Sequence, residues 1–504
     1  MVFNSYIFIL VFLPLAVIGY FLLNKLCYGK AGRVGLVWLI LMSLVFYAYN
    51  APVFLFLLVA SIVVNYALTK ILNRLKQDGK STLRQQKMIL VCGIILNLIP
   101  LIYFKYSNFL LDSIGILFDE EWLLEVGLPL GISFFTFLQI AYLVDCYREE
   151  KGFEYTFLEY ALYVAFFPKI TMGPIVLHWE IIPQLRDKSK KLVNYNNLSQ
   201  GFYAFSLGLA KKVLLADTLA KFVNVGFKSV NELNTATALM VMLSYTLQLY
   251  FDFSGYCDMA VGVSKMLNID LPYNFNSPYK SKSISEFWDR WHMTLTRFFT
   301  RYVYIPLGGS RKGRIRTYSN TIIVFLLSGL WHGANWTFIF WGLLHGILMT
   351  VERIGRDIGK GVRKLSDIPG KVTDGFKWLV TFIVINITWV FFRADSIEAA
   401  FLFLKRIFSG GWKCHEDIIE IFDKLIEIRF LKRIGLESLL EASVDITIWV
   451  VLILLVLGTS FLHNTQEKMN NNKYNWIRSM ITVILMVWCV ISLSDVSEFL
   501  YFNF

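Results

Sequence analysis

Apolar residues in this chain come in long unbroken runs rather than in alternation. Residues 5–23 carry no charge, and no basic stretch precedes them, so they read as a first membrane span rather than a cleaved signal peptide. Val34 to Thr69 is uncharged for 36 residues and is interrupted at Asn50-Ala51-Pro52, which predicts a hairpin of two helices. Further runs lie at 88–104, 126–144, 233–251, 317–351, 376–392, 446–462 and 478–494. A helix needs about 20 mainly apolar residues to cross the hydrocarbon, so each run is a candidate span. Segments 157–179 and 198–216 carry Lys169, Lys211 and Lys212 and read as short or re-entrant. The pattern predicts about ten to twelve membrane segments. A membrane β-barrel would instead alternate over about ten residues. The expected fold class is an all-α polytopic membrane protein, one domain over residues 1–504.

Composition agrees. The chain is 56% hydrophobic and 17% charged, with 14 Trp, 25 Tyr and 43 Phe, and a mean hydropathy of +0.54. A soluble domain carries about a quarter charged residues, so a water-soluble globule and a disordered chain are both excluded. The net charge of +12 reads as topology, not nucleic-acid binding. Lys70 to Lys87 holds six basic residues against Asp78, whereas 107–126 holds five acids and no base. Basic loops in the cytoplasm put the N-terminus outside. Segments 352–375 and 405–440 read as amphipathic interfacial helices or loops. Cys27, Cys92, Cys146, Cys257, Cys414 and Cys489 are scattered singly, which predicts neither a disulfide frame nor a metal site.

Polar side chains inside apolar runs cost several kcal/mol and are functional candidates. His332, in Leu330-Trp331-His332-Gly333-Ala334-Asn335, lies 16 residues beyond Arg316, about 24 Å along a helix. A buried imidazole there stays neutral and basic; a structural histidine bonded to a neighbouring helix is the plainer alternative. In Glu286-Phe287-Trp288-Asp289-Arg290-Trp291-His292, the tryptophans and Leu295 follow helical spacing. That fits an interfacial amphipathic helix as well as a site containing His292. Asp252 and Asp258 close the run 233–251, either as a proton path or, more simply, paired with cations of the basic segment 280–316. His345 would lie about 220° around a continuous helix from His332. His178, His415 and His463 read as solvent-exposed. Gly308-Gly309, beside Arg311 and Lys312, is a basic turn suited to a phosphate-bearing ligand.

The runs PYNFNSPYKSKSISEFWDRWHMTLTRFFTRYVYIPLGGSRKG (272–313) and FLLSGLWHGANWTFIFWGLLHG (325–346) closely resemble membrane-bound O-acyltransferases, in the bacterial branch of alginate O-acetyltransferases. MVFNSYIFILVFLPL, 129–148, 163–175 and 389–408 match as well, so the resemblance covers residues 1 to about 410. Two further C-terminal spans (446–494) lie beyond it. The resemblance implies a ring of helices around a central tunnel. It places the family's essential histidine on His332 and its second on His292; the branch usually has arginine where Asp289 stands. It implies a cytoplasmic thioester donor such as acetyl-CoA, with no bound cofactor, its phosphates meeting Arg311, Lys312 and Arg314. Trp331, Asn335, Trp288, Trp291, Asp252 and Asp258 become substrate or tunnel candidates, and His292, Asn335 or a Trp indole candidate oxyanion donors. The expected role is moving an acetyl group across the bacterial inner membrane for O-acetylation of an exported polysaccharide, with a hydrolase-like extracytoplasmic partner and no nucleic acid. D-alanyl transfer to teichoic acid from an acyl-carrier protein is the alternative chemistry. A proton-coupled transporter or flippase is the alternative class.

Overall fold

The computed structural model describes residues 1–27, 31–77, 82–118, 127–149, 153–359, 370–425, 428–429, 432–433, 444–470, 476–493 and 499–500. Residues 119–126 of the acidic loop, 360–369 of the segment 352–375, and most of 426–443 lie outside the described residues. Among the described residues the chain is helical, with no strand. Seven helices are long and apolar enough to cross a membrane: Phe8–Leu26, Arg33–Asn50, Pro52–Gln77, Leu83–Gly115, Trp336–Ile358, Val372–Arg393 and Val444–Phe461. These seven are counted among the described residues; other apolar runs form shorter or enclosed helices. The run at 157–179 gives only a nine-residue helix, Phe157–Ala165, followed by a buried irregular stretch. Ile132–Arg148 has 17 residues and is buried along most of its length, with Ser133, Thr136, Gln139 and Asp145 inside.

The chain forms two compact units. The first comprises Met1–Leu209, Tyr256–Tyr273 and Lys473–Asn503. It contains α1 (Leu13–Leu26), α2 (Ala31–Asn50), α3 (Pro52–Gln77), α4 (Leu83–Leu101), α5 (Ser107–Phe118), α6 (Ile132–Arg148), α7 (Phe157–Ala165), α8 (His178–Arg186) and α9 (Tyr195–Ala210). The break between α2 and α3 falls at Ala51, as the Asn-Ala-Pro interruption predicts, because proline has no N–H to continue a helix but fits its first turn. Asn65 on α3 and Asn97 on α4 exchange amide hydrogen bonds at 3.0 and 2.7 Å. Side-chain amides facing each other in this way tie apolar helices together where hydrophobicity gives no preference. His178 corrects the sequence reading. It is fully buried, its Nδ1 2.9 Å from the Tyr155 hydroxyl and its Nε2 3.5 Å from Asp145.

The second unit comprises Ala210–Gly255 and Asn274–Asn472. It contains α10 (Asp217–Lys228), the first part of α11 (Thr235–Met266), α12 (Ile284–Arg290), α13 (Met293–Phe299), α14 (Arg314–His332), α15 (Trp336–Gly359), α16 (Gly370–Arg393), α17 (Ile397–Arg406), α18 (Glu416–Asp423), α19 (Val444–Phe461) and α20 (Thr465–Asn470). The 35-residue run at 317–351 is a helical hairpin, not one helix. Glycines let its arms close on each other. A Cβ at Gly329 would fall 2.3 Å from the Phe338 carbonyl oxygen, and one at Gly342 would fall 2.3 Å from that of Phe325. Only hydrogen on Cα permits this approach.

Candidate active site

The stretch 285–295 does not form the single interfacial helix that its tryptophan spacing allows. Ser283 caps α12 by accepting the Glu286 amide, and α12 stops after Arg290. His292 then takes a left-handed conformation (φ 44°, ψ 50°) before α13 begins. A non-glycine residue held in that region costs on the order of 1–3 kcal/mol, and such positions gather at functional sites. The turn is clamped by a neighbouring stretch: Met293 N–H donates to the Asn274 carbonyl at 3.0 Å and Asn276 N–H to the Arg290 carbonyl at 2.9 Å. Trp288, Trp291 and Leu295 are consequently core residues, each less than 5% exposed, rather than headgroup-level ones.

The clamp also sets the protonation of His292. The Asn274 side-chain oxygen accepts the Thr294 backbone N–H (3.2 Å) and hydroxyl (2.9 Å), and lies 3.0 Å from His292 Nδ1. A backbone N–H can only donate, so the asparagine atom facing it is the oxygen. That oxygen can only accept, so Nδ1 carries the ring proton. His292 lies outside the seven spanning helices, and burial pushes its imidazole down to about 3. The ring is therefore neutral, with its lone pair on Nε2.

His332 ends α14, where Gly333 takes an extended conformation and the chain turns into α15. The two imidazole centres are 6.4 Å apart, and both residues are at most 2% exposed. Aromatic rings enclose them. Trp331 stands 5.8 Å from His292 and 4.9 Å from His332, Phe253 4.8 Å from His292, and Trp341 and Phe392 5.3 and 5.2 Å from His332. The Trp341 indole N–H is buried with no hydrogen-bond partner among the described residues. Asn274 and Trp341 were missed by sequence reasoning. Trp341 had a signal, an indole nine residues after His332 in the same uncharged run.

The remaining sequence candidates divide. Asn335 is spent on structure: its oxygen accepts the Thr337 N–H at 3.0 Å and its amide donates to the Asp395 carbonyl at 3.2 Å. Trp288 donates its indole N–H to His345 Nδ1 (3.2 Å), whose Nε2 lies 3.1 Å from Thr388 Oγ1. Because the chain turns at Gly333, His345 is on a different helix from His332, and the 220° computed for one continuous helix does not apply. Trp291 packs between Phe275, Phe287 and Trp389, with ring centres 5.0–5.5 Å away. Arg311, Lys312 and Arg314 are exposed at the start of α14, the opposite end from His332. Their turn has left-handed Gly308, Gly309 and Gly313, with Asn320 donating to the Gly309 carbonyl at 3.0 Å. A cavity of about 260 Å³, lined by Trp288, Leu295, Thr296, Phe325, Ser328 and Arg353 among others, reaches the helical turn of α14 before His332.

Asp252 and Asp258 are not together. Helix α11 runs on unbroken for 32 residues, and Asp258 falls in the first compact unit. Asp252 pairs with Lys212. The buried Lys212 ammonium stands 2.8 Å from both Asp252 and Asp217. Replacing it leaves the Asp252 carboxylate buried without this cation, which costs about 3 kcal/mol. A Lys212→Met variant is expected to unfold earlier in detergent, and adding Asp252→Leu to recover part of the loss. A single variant as stable as wild type would remove this ion cluster from the stability account.

Comparison with known proteins follows the same residues. The model of the membrane-bound O-acyltransferase family, MBOAT, matches residues 131–392. The chain is 39% identical to the peptidoglycan O-acetyltransferase of Helicobacter pylori, over the whole of this chain and 98% of that protein. It is 36% identical to the probable alginate O-acetylase AlgI of Pseudomonas aeruginosa, over 82% of this chain and 76% of that one. It is 32% identical to the teichoic acid D-alanyltransferase of Bacillus subtilis, over 44% of this chain and 58% of that one. This multi-pass membrane acyltransferase belongs to the membrane-bound O-acyltransferase family.

Proposed function

We propose that this protein moves an acetyl group from a cytoplasmic thioester across the bacterial cytoplasmic membrane for O-acetylation of an exported polysaccharide, of which the peptidoglycan glycan is the first candidate. The observation that carries the reading is the pair of buried imidazoles 6.4 Å apart within an aromatic enclosure. His332 removes the proton of the acceptor hydroxyl as that oxygen attacks the thioester carbonyl. The C–S bond then breaks, the acetyl group stays on the new ester oxygen, and the thiolate leaves and takes up a proton. His292 offers its Nε2 lone pair as a hydrogen-bond acceptor to a second polar hydrogen of the acceptor, which orients the attacking oxygen.

The developing oxyanion needs a donor. His292 has committed its N–H to Asn274 and Asn335 donates its amide to the Asp395 carbonyl, so the donor falls to an indole, and the buried Trp341 beside His332 is our choice. The cavity beside Trp288 and Ser328 offers room for the arm of the donor. The basic turn at the other end of α14 is suited to the donor's phosphates, and a separate hydrolase-like partner would complete delivery outside. Acetyl rather than D-alanyl transfer is favoured because the similarity to the peptidoglycan O-acetyltransferase extends over the whole chain.

The donor side is tested in membrane vesicles supplied with labelled acetyl-CoA or acetylated carrier protein. Removing both charges, Arg311→Ala with Lys312→Ala, is expected to raise the KM for acetyl-CoA about three- to tenfold, with kcat unchanged. An unchanged KM contradicts donor docking at this turn, and transfer from the carrier protein alone would replace acetyl-CoA as the donor.

A further inference from the structure

Apart from the histidine site, the first unit holds a second cavity of about 700 Å³ at the end of α3. Tyr66, Lys70, Asn73 and Arg74 of α3 form one wall, and the loop entering α7 forms the other. Two hydrogen bonds staple the walls: Asn73 Nδ2 to the Phe153 carbonyl (2.9 Å) and the Tyr66 hydroxyl to the Tyr155 carbonyl (3.1 Å). Tyr155 is itself fixed, by His178 at its hydroxyl and by the Arg186 guanidinium 5.3 Å from its ring centre. Arg186 is in turn gripped by Glu159. The cavity is thus built before any ligand enters.

Its charge is unspent. Among the described residues neither Lys70 nor Arg74 forms an ion pair; the Lys70 ammonium lies 5.5 Å from the centre of the Tyr66 ring. These two cations are four residues apart and so share a face of α3. Lys76 adds positive charge nearby, donating to the Cys146 and Tyr147 carbonyls at 2.8 and 2.9 Å. Glu154 is the carboxylate on the cavity's rim. The position matters as much as the charge. Helix α3 is long and apolar enough to span, its uncharged run ends at Thr69, and Val63, Val64 and Ile71 are exposed on its flank. The cations therefore stand at headgroup depth beside a surface suited to acyl chains.

We propose that this cavity binds the phosphodiester headgroup of an anionic membrane phospholipid, with Lys70 and Arg74 as its cationic ligands and the apolar flank of α3 against its acyl chains. A free phosphate would satisfy the same cations but leave that flank unused. The inference is independent of the acyl-transfer reading.

Native mass spectrometry of the full-length protein in detergent tests it, with dioleoylphosphatidylglycerol, dioleoylphosphatidylcholine and inorganic phosphate as probes. Wild type is expected to retain one phosphatidylglycerol about tenfold or more tightly than phosphatidylcholine, the size expected from two cations at a membrane surface. A Lys70→Gln/Arg74→Gln variant is expected to lose that preference; neither side chain makes a described hydrogen bond, and an unchanged unfolding midpoint would show the fold intact. Equal retention of the two lipids, or a preference that survives in the variant, overturns the proposal. Displacement of phosphatidylglycerol by millimolar inorganic phosphate overturns the lipid assignment in favour of a free anion.

Discussion

Asn274→Ala is expected to lower acetyl transfer about 10²-fold in membrane vesicles, although residue 274 lies 18 positions before the nearer histidine. The wild-type asparagine oxygen accepts three donors at once: His292 Nδ1–H, the Thr294 amide and the Thr294 hydroxyl. Removing it frees the imidazole to take the other tautomer, with the proton on Nε2 and no lone pair left to orient the acceptor. The lost orientation falls at the lower end of what a positioned acid–base group contributes. It also removes three hydrogen bonds from a buried site, at about 1 kcal/mol each, so the unfolding midpoint should fall too. Asn274→Asp separates the two effects, because a carboxylate still accepts all three hydrogen bonds. The aspartate variant is expected to keep most of the activity. If Asn274→Ala folds and retains full kcat, the tautomer assignment has no bearing on the reaction.

The larger loss is expected at His332. Its replacement by alanine should reduce kcat by about 10²- to 10⁴-fold, the range for a general acid–base group, with the KM of the donor little changed. His332→Gln restores polarity but not basicity and should be equally inactive. A transporter that used His332 as a proton relay would instead lose transport while any acyl transfer persisted. His332 ends a helix, so its removal leaves the glycine-lined crossing of α14 and α15 intact.

The helical class, the hairpin break at Ala51 and the burial of His332 were legible because each rests on local sequence: uncharged length, a proline, and one ionisable group stranded in an apolar run. Sequence spacing failed where the chain turns. The tryptophans of 284–295 fit one amphipathic helix until His292 goes left-handed, and a single φ leaves no trace in periodicity. Asn274 escaped for the same reason, since its role exists only once that turn folds back onto it. Asp252 and Asp258 were separable in advance. Six residues along an unbroken helix are about 240° apart, so the two carboxylates do not share a face. His178 looked solvent-exposed by position alone; its partners come from 33 and 23 residues upstream, beyond the reach of any local pattern.

The most direct test is the amount of base-released acetate on the exported polysaccharide of cells lacking the native chain and complemented with wild type or His332→Ala at matched membrane abundance. The account predicts acetate restored by wild type and held at the uncomplemented level by His332→Ala. Equal restoration by the alanine variant would contradict it.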